Sequence, residues 1–156
     1  MKLYHGSNIL IDKIDLSKSR PNKDFGRGFY LSDNEEQALE MAKFKTLTLG
    51  GEPLISIFEF DENIITNNTL KVKVFQDYSE EWADFVFANR EGLDNVEEYD
   101  IVYGPIANDT VGLQIRKLKS GNIDKVEFLN RLKYMKGITF QYYFGTENAI
   151  KTLKKI

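Results

Sequence analysis

The sequence predicts a single α+β domain, and three observations carry that prediction. Its 156 residues suit one core and leave no room for a second. Strand-like and helix-like segments are mixed, with no regular βαβ repeat of the kind that builds a doubly wound sheet. No internal repeat, low-complexity segment or Pro/Gly/Ser linker divides the chain. Hydrophobic and charged fractions of 42% and 29% are those of an ordinary globular protein, and the 13% aromatic content falls mostly within strand or helix patterns, as core filling would.

Leu3-Tyr4-His5-Gly6 reads as a short opening strand that stops at its glycine. Ser7 to Asp24 carries isolated apolar residues (Ile9, Ile11, Ile14, Leu16) and polar turn residues around Pro21-Asn22, a short helix or extended piece followed by a loop. Phe25 to Leu31 is a strand with Gly26 and Gly28 at its start. Ser32 or Asp33 suits a helix N-cap, with Glu35 and Glu36 in the favourable first turn. That helix runs through Ala38, Leu39, Ala42 and Phe44 and ends before the Gly50-Gly51 turn. Two alternating segments follow, Leu54 to Phe60 and Leu70 to Phe75, both strands.

Ser79-Glu80-Glu81 starts a helix with Trp82, Phe85, Val86 and Asn89 on one face. Ile101-Val102-Tyr103 is a short strand closed by Gly104-Pro105. Two helices are expected at about Thr110–Leu118 and Asp124–Met135, the second broken by Gly137. Ile138 to Phe144, β-branched and aromatic, is a strand. Thr146 caps a last helix from Glu147 to Lys155.

Several chemistries are excluded. The absence of cysteine removes disulfides, thiolate catalysis and cysteine zinc sites. A single histidine argues against a catalytic zinc, which usually takes two or three imidazoles, and no metal is expected. No secretory signal and no apolar run of about 20 residues is visible, so a cytoplasmic location and no membrane partner are expected.

The net charge of −3 hides an asymmetry. Asp77 to Asp100 holds nine acids and one base (Arg90), whereas Val111 to Ile156 holds ten bases and three acids. Arg116, Lys117, Lys119, Arg131 and Lys133 fall on the two late helices, where they could attract a phosphate-rich or acidic partner; solvated helix faces are the simpler reading.

No Walker-type loop, dinucleotide-binding glycine fingerprint or nucleophile elbow is present. Two other motifs stand at a telling distance. His5-Gly6-Ser7 follows Leu3-Tyr4, and Phe25-Gly26-Arg27-Gly28-Phe29-Tyr30-Leu31-Ser32-Asp33 follows about twenty residues later. Together they resemble the first two signatures of the ADP-ribosyltransferase superfamily, in the branch of the poly(ADP-ribose) polymerases and diphtheria toxin. The resemblance covers about the first quarter of the chain and is architectural afterwards.

It implies an ADP-ribosyltransferase-like split β-core with flanking helices, binding NAD in the cleft between its halves. By resemblance, the Gly6 backbone would hold the nicotinamide amide, Ser7 would contact that amide, and His5 would hold the adenosine ribose. Tyr30 would stack on the nicotinamide ring, with Gly28 on the same glycine-rich strand, and Arg27 or Lys23 would face the pyrophosphate. A partly buried structural histidine and a core tyrosine are the plain alternatives. The family places a glutamate on a late strand; here the matching strand offers Gln141, which can hydrogen-bond a ribose hydroxyl but supplies no negative charge. That departure favours single transfer over chain elongation. The Glu97-Glu98-Tyr99-Asp100 cluster is a second choice for the acid, and Asp109 a lesser candidate for a loop residue facing the target, unless Asn108-Asp109 simply caps the next helix.

The activity implied is transfer of one ADP-ribose to a protein or nucleic-acid acceptor with release of nicotinamide. NAD glycohydrolase and a non-catalytic NAD- or ADP-ribose-binding module are the alternatives. Small domains of this kind resemble bacterial toxin and phage-defence modules, for which an antitoxin partner is possible.

Overall fold

The computed structural model of the chain describes residues 1–133 and 138–156, the side chains of Asp109 and Lys133 aside. Among the described residues, two sheets and five α-helices form a mixed α+β architecture. In chain order the elements are β1 (Lys2–Ser7), β2 (Phe29–Leu31), α1 (Glu35–Leu49), β3 (Leu54–Phe60), β4 (Val72–Val74), α2 (Glu80–Arg90), β5 (Ile101–Pro105), α3 (Asp109–Lys119), α4 (Lys125–Lys133), β6 (Phe140–Phe144), α5 (Glu147–Ile150) and β7 (Leu153–Lys155).

One sheet has the order β1-β3-β7, and the other β2-β6-β5-β4. All pairs are antiparallel except β4 with β5. A single antiparallel bridge, Tyr4 with Ser32, links the sheets. The length alone suggests one core, but strand alternation divides the apolar residues between two, one on each face of the four-stranded sheet. Leu3, Phe29, Leu31, Phe58, Phe60, Ile101, Tyr142 and Phe144 gather where side chains of both sheets meet. The other core joins the four-stranded sheet to α2, α3 and α4 through Phe25, Trp82, Val86, Val102, Val111, Ile115, Phe128 and Tyr143. Trp82 is fully buried, and its indole N–H donates to the carbonyl of Pro105 at 3.1 Å, so the polar edge of the ring is satisfied as well.

Several boundaries differ from the sequence expectations. The first strand does not stop at Gly6 but continues to Ser7. The expected strand from Phe25 is reduced to Phe29–Leu31, because Gly26, at φ 103°, turns the chain and Tyr30 holds the turn. Its hydroxyl donates to the Gly26 carbonyl at 2.6 Å and accepts from the Phe25 amide at 3.0 Å. The cap of α1 is Asn34, not Ser32 or Asp33, with Asn34 Oδ1 accepting from the Gln37 amide at 3.2 Å. Helix α1 buries Ala38 and Ala42 but leaves Phe44 67% exposed, so Phe44 is not on the packed face.

β4 is shorter than Leu70–Phe75 because the Lys71 amide turns to Asp100 Oδ2 at 2.8 Å. Gly104 and Pro105 extend β5 rather than closing it, pairing with Gln141 and Phe140. Ile138 and Thr139 stand outside β6; the expected helix end at Met135 and break at Gly137 fall outside the described residues. The expected helix from Glu147 lasts one turn, and Leu153–Lys155 returns as a strand along β3, with Leu153 packed on the core. None of the helices is long and apolar enough to cross a membrane, among the described residues.

Candidate active site

The site lies where β1 and β2 part. Antiparallel pairing alternates the peptide groups of a strand between its two sides. Met1 exchanges both backbone bonds with Phe60, at 2.8 and 2.9 Å, which fixes the odd-numbered residues of β1 toward β3. Tyr4 exchanges both bonds with Ser32, at 2.7 and 2.8 Å, on the opposite side. Gly6 shares the parity of Tyr4, so its N–H and C=O turn away from β3. Continued pairing would set Gly6 against Tyr30, but there the strands separate and the Tyr30 carbonyl is taken instead by His5 Nδ1 at 2.7 Å. The Gly6 peptide groups thus border the gap.

A cavity of about 340 Å³ fills that gap, a size suited to a small-molecule ligand. His5, Gly6, Tyr30 and Gln141, from β1, β2 and β6, all line it. Lys23, Gln37, Lys45, Asp24 and Arg90 complete its polar wall. Ser7 does not line it; it is buried, with its hydroxyl donating to Asn8 Oδ1 at 3.3 Å. Arg27 lines a separate cavity, and its carbonyl accepts from the Tyr143 hydroxyl at 3.0 Å. Gly28 borders a third cavity of about 290 Å³, which shares His5, Lys23, Tyr30 and Lys45 with the first.

Each site group has a defined chemical state. A carbonyl only accepts, so His5 Nδ1 carries the proton and Nε2 keeps a lone pair. Burial, then the Lys45 charge, pushes the His5 imidazole down to about 4 despite the Tyr30 carbonyl, so the ring is neutral at physiological pH. It stacks on Phe29 with 4.2 Å between centroids. The Tyr30 hydroxyl is committed to the Gly26 turn, and burial raises its pKa far above the usual phenol range, so it stays protonated. Lys23 Nζ lies 5.0 Å from the centroid of that ring.

Gln141 sits on β6 on the same face as Tyr143, and its buried Nε2 has no hydrogen-bond partner among the described residues. Leaving such a donor unpaired costs about 1–3 kcal/mol, which a ligand acceptor would recover. Across the cavity, Arg90 Nε donates to Asp24 Oδ1 at 2.7 Å and Arg90 Nη2 to the Ala107 carbonyl at 2.8 Å. The Ala107 amide donates to Asp24 Oδ2 at 3.3 Å, so both carboxylate oxygens are engaged.

Gly6 also has a packing reason to be glycine. A Cβ there would stand 1.8 Å from the Ala38 carbonyl oxygen, so α1 can approach β1 only without a side chain. A Cβ at Gly28 would stand 2.3 Å from the Tyr143 ring.

The second-choice acids hold the fold together away from this cavity. Glu97 pairs with Lys71 at 2.8 Å and accepts from the Tyr99 hydroxyl at 2.8 Å. Asp100 accepts from the Lys71 amide and, at 2.5 Å, from the Thr146 hydroxyl. Glu97 and Glu98 border the Arg27 cavity instead. Asn108 caps α3 through its bond from the Val111 amide at 2.9 Å, and the Asp109 side chain lies outside the described residues.

The basic helices and the acidic segment partly neutralise each other. Lys119 pairs with Asp84 and Lys125 with Glu80. Arg131 pairs with Glu127 at 2.8 Å and donates to Gln114 Oε1 at 2.9 Å. Two of the late bases are thus paired with acids of the 77–100 segment, and the Lys133 side chain lies outside the described residues. No group of three or more potential metal ligands occurs among the described residues.

Sequence reasoning missed Asp24, Gln37, Lys45 and Arg90 as lining residues. Arg90 had a signal, as the lone base within the acidic stretch; Lys45 had none. The family model described as Protein of unknown function (DUF3990) matches residues 1–155, so the chain belongs to that family. No curated protein matches the chain.

Proposed function

We propose that this member of the DUF3990 family is an NAD-dependent mono-ADP-ribosyltransferase, moving one ADP-ribose from NAD to a protein or nucleic-acid acceptor and releasing nicotinamide. The observation that carries the reading is the meeting of His5, Gly6, Tyr30 and Gln141 around one cavity at the parting of β1 and β2.

The chemistry follows from these groups. The outward N–H and C=O of Gly6 match the acceptor and donor of the nicotinamide carboxamide, and the Tyr30 ring offers an aromatic face to the pyridinium. Neutral His5 presents Nε2 to accept from a ribose hydroxyl. The adjoining cavity, where Ile9, Ile11 and Leu16 stand beside Asp12, Lys13, Asp15 and Lys18, would receive the adenosine half.

The bond from ribose C1 to the pyridinium nitrogen breaks with its electron pair passing to nitrogen, so nicotinamide leaves neutral and the ribose becomes cationic. An acceptor nucleophile then bonds to C1 and loses a proton. The unpartnered Gln141 amide can donate to a hydroxyl of that ribose, fixing its orientation. Asp24 is the carboxylate in the cavity wall, and Arg90 offsets its charge. The site therefore works by orientation more than by charge, which fits a single transfer rather than chain growth.

The neutral Gln141 also favours one rival, a domain that binds NAD or ADP-ribose without turning it over. With NAD labelled in its ADP-ribose portion and incubated with cell extract, a transferase leaves label on a macromolecule, and nuclease or protease treatment identifies the acceptor class. Label recovered only as free ADP-ribose makes the protein a glycohydrolase, and NAD left intact but retained by the protein makes it a binding module. A toxin or defence role, with an antitoxin partner, rests on analogy with other small domains of the type.

A further inference from the structure

Lys23 and Lys45 come from different elements, the loop before β2 and helix α1, and both stand in the wall shared by the two adjoining cavities. Neither forms an ion pair among the described residues. Burial lowers both ammonium pKa values, Lys45 to about 8; the Lys23 and Arg20 charges lower Lys45 further, and for Lys23 the lowering by Arg20 is opposed by Asp24. Asp24, beside Lys23 in the chain, has both carboxylate oxygens engaged by Arg90 and the Ala107 amide. Lys23 and Lys45 repel one another across this shared wall, partly offset by Asp24 beside Lys23 and by Asp12 and Asp15 in the wall of the second cavity, and an anion bound directly between the two ammonium groups stabilises both.

Lys23 has a second contact that matters. Its ammonium faces the ring of Tyr30, the surface on which a pyridinium would stack. Two cations cannot share one ring face at close range. A pyridinium entering the first cavity must displace Lys23, whose side chain stands on the loop before β2, whereas Lys45 is on a fifteen-residue helix.

We infer that Lys23 and Lys45 form a diphosphate subsite where the two cavities join, and that Lys23 exchanges the Tyr30 ring for the diphosphate when a dinucleotide binds. This rests on the NAD reading and adds to it a coupling between the ligand's two halves. The pyridinium takes the ring face that Lys23 leaves, and the diphosphate receives the ammonium. A pyridinium alone must displace Lys23 without that compensation.

Calorimetric titration of the purified protein with pyrophosphate, ADP-ribose, adenosine, 1-methylnicotinamide and NAD tests this, with Lys45→Gln, Lys45→Arg and Lys23→Ala variants whose folding is checked by circular dichroism. Lys45→Gln and Lys23→Ala should weaken ADP-ribose and pyrophosphate by about tenfold or more, the loss of one charge-assisted contact. Adenosine should be unchanged, and Lys45→Arg should keep most of the affinity. Lys23→Ala should bind 1-methylnicotinamide more tightly than the wild type. If the wild type binds NAD while both charge-removing variants bind ADP-ribose normally, or if Lys23→Ala weakens 1-methylnicotinamide, the inference is overturned. Pyrophosphate binding that depends on Lys45 in a protein that ignores NAD and ADP-ribose would overturn the dinucleotide reading and keep the anion subsite. Binding of none of the probes would overturn both, and should Lys45→Gln not fold, Lys45→Arg and Lys23→Ala still decide.

Discussion

The imidazole of His5 donates through Nδ1 to the carbonyl oxygen of Tyr30 at 2.7 Å, joining residues 25 apart in sequence at the point where their strands separate. The bond substitutes a side chain for the missing backbone pair and leaves a gap beside Gly6. It also fixes the tautomer, so that Nε2 keeps its lone pair and can only accept.

That state has a pH signature. The folded pKa of His5, about 4, lies below the ordinary value of 6.5. Between those values the unfolded chain binds a proton that the folded chain refuses, so stability rises with pH through this window and falls on acidification. The shift corresponds to about 3 kcal/mol, trimmed to about 2 kcal/mol by the partial exposure of the ring. Urea titrations at pH 7 and pH 4.5 should differ by roughly that much more in the wild type than in His5→Gln. Equal pH dependence in both proteins would contradict the assignment.

Gly6→Ala should cost about 3 kcal/mol or more, because its Cβ would collide with backbone, which cannot rotate away. Thermal unfolding of the variant reads this directly. A variant of normal stability would show that α1 can move away from β1.

Tyr30→Phe separates the ring from its hydroxyl. The variant loses both bonds that pin the Gly26 turn, so stability should fall by about 1–3 kcal/mol. Turnover of NAD under folded conditions should stay within a few-fold, since the ring face remains. A large loss of turnover with stability intact would assign the hydroxyl a chemical role that its buried bonds do not predict.

The third position of the site is tested by Gln141. Gln141→Ala should lower kcat by about tenfold while changing NAD affinity less, because an orienting contact to the ribose counts most as charge develops. Gln141→Glu should raise NAD hydrolysis by placing a carboxylate beside that charge. Tyr142, whose ring is in the core shared by both sheets, should respond to substitution through stability alone. Normal turnover in Gln141→Ala, together with loss in Glu98→Gln, would move the site to the Arg27 cavity.

The elements with strong periodicity were legible in the sequence. β3 matches its expected bounds, and α2 begins at the Ser79 cap as anticipated. What failed was decided by partners distant in sequence. Nothing local marks Leu153–Lys155 as a strand; the open edge of β3 makes it one. The motif from Phe25 to Leu31 reads as one strand because its glycines carry no direction, while the hydroxyl of Tyr30 bends it. Of the candidate site, His5, Gly6, Tyr30 and Gln141 were each chosen from sequence and share one cavity, whereas Ser7 and Arg27 do not line it. Arg90 and Lys45 enter through packing of α2 and α1, which no local pattern encodes. Of the five bases named on the late helices, Lys119 pairs with an acid on α2, a partner that charge counting along the chain does not reveal.

Nicotinamide release from NAD by the purified wild type, measured beside folded His5→Ala, tests the central claim most directly. The account predicts time-dependent release by the wild type, with kcat/KM at least about tenfold lower in His5→Ala, the equivalent of about 1.4 kcal/mol of lost transition-state binding. Circular dichroism of both proteins should match. No release by a folded wild type, with and without cell extract, or equal release by His5→Ala, would contradict it.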